Sequence, residues 1–153
     1  MNTPSSATEL IRMLDLEPHP EGGWYRETWR AAAPGGERAS ATSIYFLLEQ
    51  DQRSHWHRVD ASEIWLWHAG SPALLSTSPT DAGPISEIIL GNDVWAGETP
   101  QHVVEANHWQ STYAKDGWAL VSCIVSPGFS FDGFELAPTG WSPRRPDGGT
   151  SLS

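Results

Sequence analysis

Two histidines and a glutamate in the segment RSHWHRVDASEIWLWHAG (residues 53–70) have the residue types and spacing of a metal-binding or catalytic site. His55 and His57 stand two positions apart, so on a β-strand both imidazoles would project from one face. Glu63 follows the turn-forming sequence VDAS and could bring a carboxylate to the same place. These groups could bind a divalent metal or act as base and acid on a bound molecule. A pair of solvated strand histidines is the plainer alternative.

A second polar group lies in the segment PHPEGGWYRET (residues 18–28). Its prolines and glycine pair predict a stiff turn that leads into a strand. His19, Glu21 and Arg26 could therefore line a ligand pocket, where Arg26 would hold an anionic group through two parallel hydrogen bonds. Equally, the loop could do no more than start the first strand.

Aromatic and amide side chains supply further candidates for a pocket. The chain has nine tryptophans, and a period of two places Trp65 and Trp67 on the same strand face as Glu63. An apolar wall around a few polar groups is typical of small-molecule pockets, although a tryptophan is also typical of a barrel core. Gln110 could act as another ligand and Tyr113 could transfer a proton, or both could be ordinary strand residues.

The elements that must position these residues are mostly short strands. Ser6 and Glu9 have the spacing of a capping box, which predicts one helix ending near Leu16, before Pro18. Beyond the helix, about ten apolar runs separated by Gly, Pro, Asp and Asn clusters are typical of a β-sandwich or barrel. The predicted strands are 24–30, 42–48, 54–58, 63–68, 73–78, 86–90, 102–105, 109–113, 118–126 and 133–136.

Charge and composition narrow the class of partner. Nineteen acidic against nine basic residues give a net charge of −10, which disfavours binding to nucleic acid or to an anionic membrane surface. The single Cys123 excludes an internal disulfide, and no apolar stretch approaches the ~18 residues of a membrane helix. Because the N-terminus also lacks the order of a signal peptide, a cytoplasmic location is expected.

Taken together, these segments resemble the two signature motifs of the cupin superfamily: HxH with a following Glu and Gly, then a turn of the PxGxxH kind. The similarity is greater to a small cupin family, family five, and it runs in order over residues 8–137. Its strings here are PHPEGGWYRET (18–28), TSIYFLLE (42–49), SHWHRVDASEIWLWHAG (54–70), TPQHVVEANHWQ (99–110) and LVSCIVSPGFSFDGFEL (120–136).

The resemblance implies an all-β, single-domain jelly-roll barrel with one short N-terminal helix, commonly assembled as a homodimer. Residues 8–137 would form the cupin domain, residues 1–7 an N-terminal tail, and the Pro/Gly/Ser-rich residues 138–153 a loose C-terminal tail. The outward-facing Ile64 and Leu66 are also more apolar than a monomer surface requires.

Two sites are compatible with the resemblance. In one, His55, His57, Glu63 and Gln110 hold one divalent metal (Mn, Fe, Ni or Zn), with Gln110 standing where the superfamily has its last histidine ligand. In the other, no metal is present; His57 is the base and Tyr113 or Glu63 the acid, similar to the sugar-nucleotide epimerase branch of the cupins.

The leading functional expectation is an enzyme that acts by proton transfer, of the isomerase or epimerase type, on a small polar metabolite such as a carbohydrate-like compound. The alternatives are a metal-dependent oxygenase or lyase and a non-catalytic small-molecule-binding module. The expected catalytic residues are His57, Glu63 and Tyr113, and the expected ligand-binding residues are His19, Glu21, Arg26, Trp65, Trp67 and Gln110.

Overall fold

One short helix precedes the strands in the computed structural model, which describes residues 6–144. The helix α1 spans Ala7–Met13, and its capping box is confirmed. The Ser6 hydroxyl accepts the Glu9 amide at 3.1 Å, and the Glu9 carboxylate accepts the Ser6 amide at 3.3 Å. The helix ends short of Leu16 because Asp15 adopts a φ of 55°, outside the helical region. No helix in this part of the chain is long and apolar enough to span a bilayer.

Two antiparallel sheets follow the helix and confirm the predicted jelly-roll fold. The sheets have the strand orders β1–β2–β3–β10–β5–β8 and β11–β4–β9–β6–β7. Each predicted strand is present with its ends shifted by at most two residues, and only the two-residue β1 was not predicted. The strands are β1 (Glu17–Pro18), β2 (Trp24–Arg30), β3 (Thr42–Leu48), β4 (Arg53–Val59), β5 (Ser62–Gly70), β6 (Ala73–Ser78), β7 (Ser86–Leu90), β8 (Gln101–Val104), β9 (Trp109–Tyr113), β10 (Ala119–Ser126) and β11 (Phe134–Leu136).

The main hydrophobic core occupies one part of the space between the sheets. It includes Phe46 and Leu48 of β3 and the inward side chains of β5, β6 and β10. The same strands continue past this core, where Thr42 and Ile44 of β3 line an open cavity instead. The barrel is therefore filled at one end and hollow at the other, and the hollow end is where a small molecule can enter.

The chain after β11 packs against the outside of the second sheet. The Trp141 ring lies 4.5 Å from the Trp109 ring, and the Arg144 amide donates to the Asp81 carbonyl at 2.9 Å. The first half of the predicted loose tail is thus held by an aromatic contact and a hydrogen bond. Residues 1–5 and 145–153 lie outside the described residues.

Candidate active site

Four ionisable side chains meet in the cavity at the hollow end of the barrel. The cavity has a volume of about 920 Å³, and its lining includes His19, Glu21, His57 and Glu63. All four residues are buried, although glutamate is usually exposed and histidine is intermediate in burial. Titratable groups gathered in a cleft in this way are typical of a functional site.

The glycine pair of the PHPEGGW segment brings two of these side chains into place. Gly22 and Gly23 adopt φ values of 107° and 85°, which favour glycine, and a Cβ on Gly22 would collide with a main-chain oxygen of β4. Because the loop approaches β4 so closely, the Glu21 carbonyl accepts the His55 amide at 2.7 Å. The His19 amide donates to the Gly23 carbonyl at 2.9 Å and closes the turn. The turn therefore fixes His19 and Glu21 against the strand that carries His57.

The ring of His57 presents an unprotonated nitrogen to the cavity. Its Nδ1 lies 2.8 Å from the His55 carbonyl, which can only accept a hydrogen bond, so Nδ1 carries the proton. Its Nε2 therefore has a free lone pair, 3.4 Å from Oε2 of Glu21. Burial lowers the pKa of His57 to about 4, although the hydrogen bond to the His55 carbonyl opposes this shift. The ring is neutral at pH 7 and available as a base.

His19 contacts the other oxygen of the Glu21 carboxyl group. Nδ1 of His19 accepts the Glu21 amide at 3.2 Å and lies 3.3 Å from Oε1 of the same residue. Burial, and then the neighbouring His57, lower the pKa of His19 to about 3, so this ring is also neutral. The carboxyl group of Glu21 consequently lies between two neutral imidazoles.

The two buried carboxyl groups are held in their protonated forms to unusually high pH. Burial, and then the charge of Glu63, raise the pKa of Glu21 well above its usual value. Burial also raises the pKa of Glu63 to about 7, against the opposing hydrogen bonds from Gln110 and Cys123. The cavity therefore holds carboxylic acids beside an imidazole acceptor near neutral pH, which is the pairing that general acid–base chemistry requires.

Gln110 positions Glu63 and does not itself line the cavity. Its side-chain nitrogen donates to Oε1 of Glu63 at 2.9 Å, and its oxygen accepts the indole N–H of Trp65 at 2.8 Å. Trp65 and Trp67 share the inward face with Glu63, as the period of two predicts, but Trp65 belongs to the core and Trp67 packs against it. The predicted pocket wall of tryptophans is thus part of the barrel interior.

A β-bulge separates His55 from His57. In the pairing of β4 with β9, Ser54 lies opposite Thr112 while His57 lies opposite Gln110, so β4 contains one extra residue. The bulge interrupts the strict alternation of faces on which the HxH prediction depended. The His55 ring instead donates from Nε2 to the Pro138 carbonyl at 2.9 Å, outside the cavity.

Tyr113 and Arg26 also lie outside the cavity lining. The Tyr113 hydroxyl donates to Asp51 at 3.2 Å. Arg26 donates from Nε to the Leu14 carbonyl at 2.7 Å and so holds the end of α1 to the first sheet. Arg26 therefore has a bonding partner on the outside of the barrel, and the anion-binding role expected of it finds no support in this position.

The ligand set expected for a metal does not converge. Of its four members, His55 faces Pro138 and the Gln110 oxygen faces Trp65, which leaves His57 and Glu63. Over residues 6–144 no group of three or more His, Cys, Asp or Glu side chains has an arrangement that could hold a metal ion. The residues present therefore do not fit the expected metal site.

The His55→Ala variant tests this assignment. Since the His55 ring bonds to Pro138, we expect the purified variant to have the same metal content, by elemental analysis, as the wild type. Loss of one hydrogen bond should lower the free energy of unfolding by about 1 kcal/mol. A wild type with one metal per chain and a variant without it would show that His55 is a ligand.

The mouth of the cavity contains residues that were not identified from the sequence. Two ion pairs lie there, Arg30 with Glu27 and Arg38 with Asp60, at 2.6 and 2.7 Å. Three phenylalanines of the segment PGFSFDGFEL complete this part of the lining: Phe129, Phe131 and Phe134. Their close spacing in a turn-rich segment was a signal that they cluster, but nothing local showed that they face the cavity.

Solved structures with a similar fold include two of comparable length. A protein from Shewanella oneidensis is 41% identical, with a TM-score of 0.81, and the match covers 87% of this chain and 85% of that one. A hypothetical protein from Leishmania major is 34% identical, with a TM-score of 0.80, over 87% of this chain and 88% of that one. Oxalate decarboxylase from Bacillus subtilis shares the fold at 16% identity and a TM-score of 0.61, over 80% of this chain and 30% of that one.

A family model covers most of the described chain. The model described as Cupin superfamily (DUF985) matches residues 8–137, which are also the residues that carry the motifs quoted above. That span contains both sheets and the four buried ionisable side chains, His19, Glu21, His57 and Glu63. The chain therefore belongs to the cupin superfamily, in this DUF985 family.

Proposed function

We propose that this cupin is an enzyme of the isomerase or epimerase type that moves a proton on a small polar metabolite bound in the cavity. The observation that carries the proposal is the placement of the His57 lone pair, 3.4 Å from a carboxyl oxygen of Glu21 and in the same cavity as Glu63. A base and an acid are thus available to one bound molecule without a cofactor.

In the proposed reaction, Nε2 of His57 removes a proton from a carbon next to a carbonyl group. The electron pair of the C–H bond moves to the carbonyl oxygen and forms an enolate, and His57 becomes positively charged. The protonated carboxyl group of Glu63 then returns a proton to carbon, and Glu21 transfers the proton from His57 to Glu63. No atoms are gained or lost, so the substrate and product are isomers.

Burial has opposing effects on His57 as a base. It keeps the ring neutral, so that the lone pair is free, but it also makes the nitrogen less basic. The nearby carboxyl group of Glu21 offsets the second effect, because at 3.4 Å it can take the proton from the charged ring as its own proton passes to Glu63. The pair of residues, rather than His57 alone, is therefore the proposed base.

Exchange of hydrogen with solvent tests the proposal without knowledge of the substrate. The wild-type protein is incubated in D₂O with a panel of sugars, hydroxy ketones and keto acids, and loss of C–H signals is followed by ¹H NMR. Protein-dependent exchange at a carbon next to a carbonyl group supports the proposal. Compounds that bind, by saturation-transfer NMR, but never exchange would favour a non-catalytic binding module.

We also propose that the protein is a homodimer joined through the outer face of the first sheet. On that face Ile64 of β5 lies between Ile124 of β10 and Val103 of β8, and Val103 is 43% exposed. Two-fold dimers are the commonest way to cover such a row of apolar side chains.

Light scattering should give twice the 16.8 kDa chain mass, and the Ile64→Glu variant should shift the measured mass towards that of the monomer. A wild-type monomer at micromolar concentration would contradict this assembly.

A further inference from the structure

The charges and aromatic rings of the cavity indicate the kind of ligand that it selects. We infer that the cavity prefers a ligand with a cationic nitrogen, such as a protonated amine, and disfavours phosphorylated or carboxylated ligands. The inference rests on the proposed function only in taking this cavity as the place where the substrate binds.

Carboxyl groups outnumber positive charges around the cavity. Among residues 6–144, the lining has two guanidinium groups, Arg30 and Arg38, and no lysine. The two lining histidines are neutral, since the pKa values of His19 and His57 are lowered to about 3 and about 4. The carboxyl groups of the lining belong to six residues: Glu21, Glu27, Glu37, Asp60, Glu63 and Asp132.

Both guanidinium groups are already occupied by carboxylates. Arg38 donates from its two terminal nitrogens to Asp60 at 3.0 and 2.7 Å, and from Nε to the Gly128 carbonyl at 2.7 Å. Arg30 donates to Glu27 at 3.1 and 2.6 Å and to the Phe129 carbonyl. An anionic ligand would have to displace one of these paired contacts, since the described lining offers it no free cation.

The inner end of the cavity suits a hydrogen-bond donor. Nε2 of His57 is an acceptor, and the carboxyl groups of Glu21 and Glu63 supply carbonyl oxygens as further acceptors, which become acceptor-only carboxylates when they ionise beside a cation. An ammonium group has three N–H donors and no acceptor, so it matches this set, whereas a phosphate has only acceptor oxygens when fully ionised. A cation here would also compensate for the cost of burying a carboxylate.

A cluster of three aromatic rings belongs to the cavity lining. Phe129, Phe131 and Phe134 pack edge to face, with ring centroids 4.8 to 5.8 Å apart, and Phe131 is 54% exposed. The faces of such rings attract cations. The lining thus combines aromatic rings with buried carboxyl groups, and both kinds of group can contact a cation.

Compounds that share a scaffold but carry a neutral, a cationic or an anionic group test the inference. We would measure binding at pH 7 by saturation-transfer NMR and calorimetry for two trios: glucose, glucosamine and glucose 6-phosphate; and benzyl alcohol, benzylamine and benzoate. In at least one trio the amine should bind roughly tenfold or more tightly than the neutral compound, as expected for a hydrogen bond to a charged group. The anionic members should bind more weakly than the neutral ones.

Two variants that make the same Glu→Gln substitution, one inside the cavity and one outside it, locate the source of the preference. Glu63→Gln should lower the preference for the amine by roughly tenfold, whereas Glu87→Gln should leave it unchanged, because Glu87 lies on β7 outside the cavity lining. Equal losses in both variants would mean that the overall charge of −10 causes the preference, which overturns the inference.

The remaining outcomes separate this inference from the proposed function. If no amine binds better than its neutral partner, or if an anion binds best, the inference is wrong. Binding is measured here without turnover, so an amine preference with no deuterium exchange contradicts only the proposed reaction. Exchange on neutral compounds without any amine preference contradicts only the inference about charge.

Discussion

Deuterium exchange should fall by about 100-fold or more in the His57→Gln variant, since a positioned general base typically contributes at least that factor. The side-chain amide of glutamine fills much of the same space, but its nitrogen has no lone pair that can take a proton. The fold should persist, because the variant retains a polar side chain that can reach the same neighbours. The measurement is the initial rate of C–H loss in D₂O, with circular dichroism to show that the protein is folded.

Tyr113→Phe is the matched control for this experiment. The sequence marked Tyr113 as an acid, but the structure places its hydroxyl group on Asp51, outside the cavity lining. We therefore expect the rate of exchange to be unchanged in Tyr113→Phe. A His57→Gln protein that keeps most of the wild-type rate would remove His57 from the reaction, and a Tyr113→Phe protein that loses it would restore the sequence-based assignment.

The Glu63→Gln variant should be more stable than the wild type above neutral pH, by about 3 kcal/mol in the free energy of unfolding. Folding raises the pKa of Glu63 from 4.5 to about 7, so the folded protein binds this proton more tightly than the unfolded chain does. The stabilising contribution is full below pH 4.5 and is lost as the pH rises through 7. Glutamine cannot ionise, and its side chain can still accept the hydrogen bond from Gln110.

Urea unfolding at pH 4 and pH 8 measures this effect. The two proteins should differ little at pH 4, where Glu63 is protonated in both states, and most at pH 8. The buried histidines act in the opposite direction, because their lowered pKa values cost stability as the pH falls below 6.5. The difference between the two proteins cancels that contribution. A difference that does not grow with pH would show that Glu63 ionises normally.

Local signals were sufficient to predict most of the fold. The Ser6–Glu9 capping box and the turn residues between apolar runs each act over a few positions, and the observed helix start and strand ends follow them. The position of Glu63 could also be predicted from the sequence, since the alternation of side chains along β5 alone puts it on the inward face with Trp65.

The parts of the site that were missed depend on contacts between distant segments. The β-bulge that turns His55 away from His57 exists only in the pairing of β4 with β9, which the HxH spacing does not encode. The contact between Glu21 and His57 requires the glycine turn to approach β4. Likewise, Gln110 holds Trp65 because two different sheets meet there.

Residues 138–144 lie beyond the family match, yet they contact β4, the strand that carries His57, and its neighbour β9. The family match stops at residue 137, yet the next residue supplies the carbonyl that holds the His55 ring, two positions from His57. Trp141 then covers Trp109 on the neighbouring strand. A polypeptide that ends at residue 137 would keep every ionisable group of the cavity. It would lose the contacts that hold the outer side of β4. The shortest polypeptide that keeps all of these contacts therefore extends at least to Arg144.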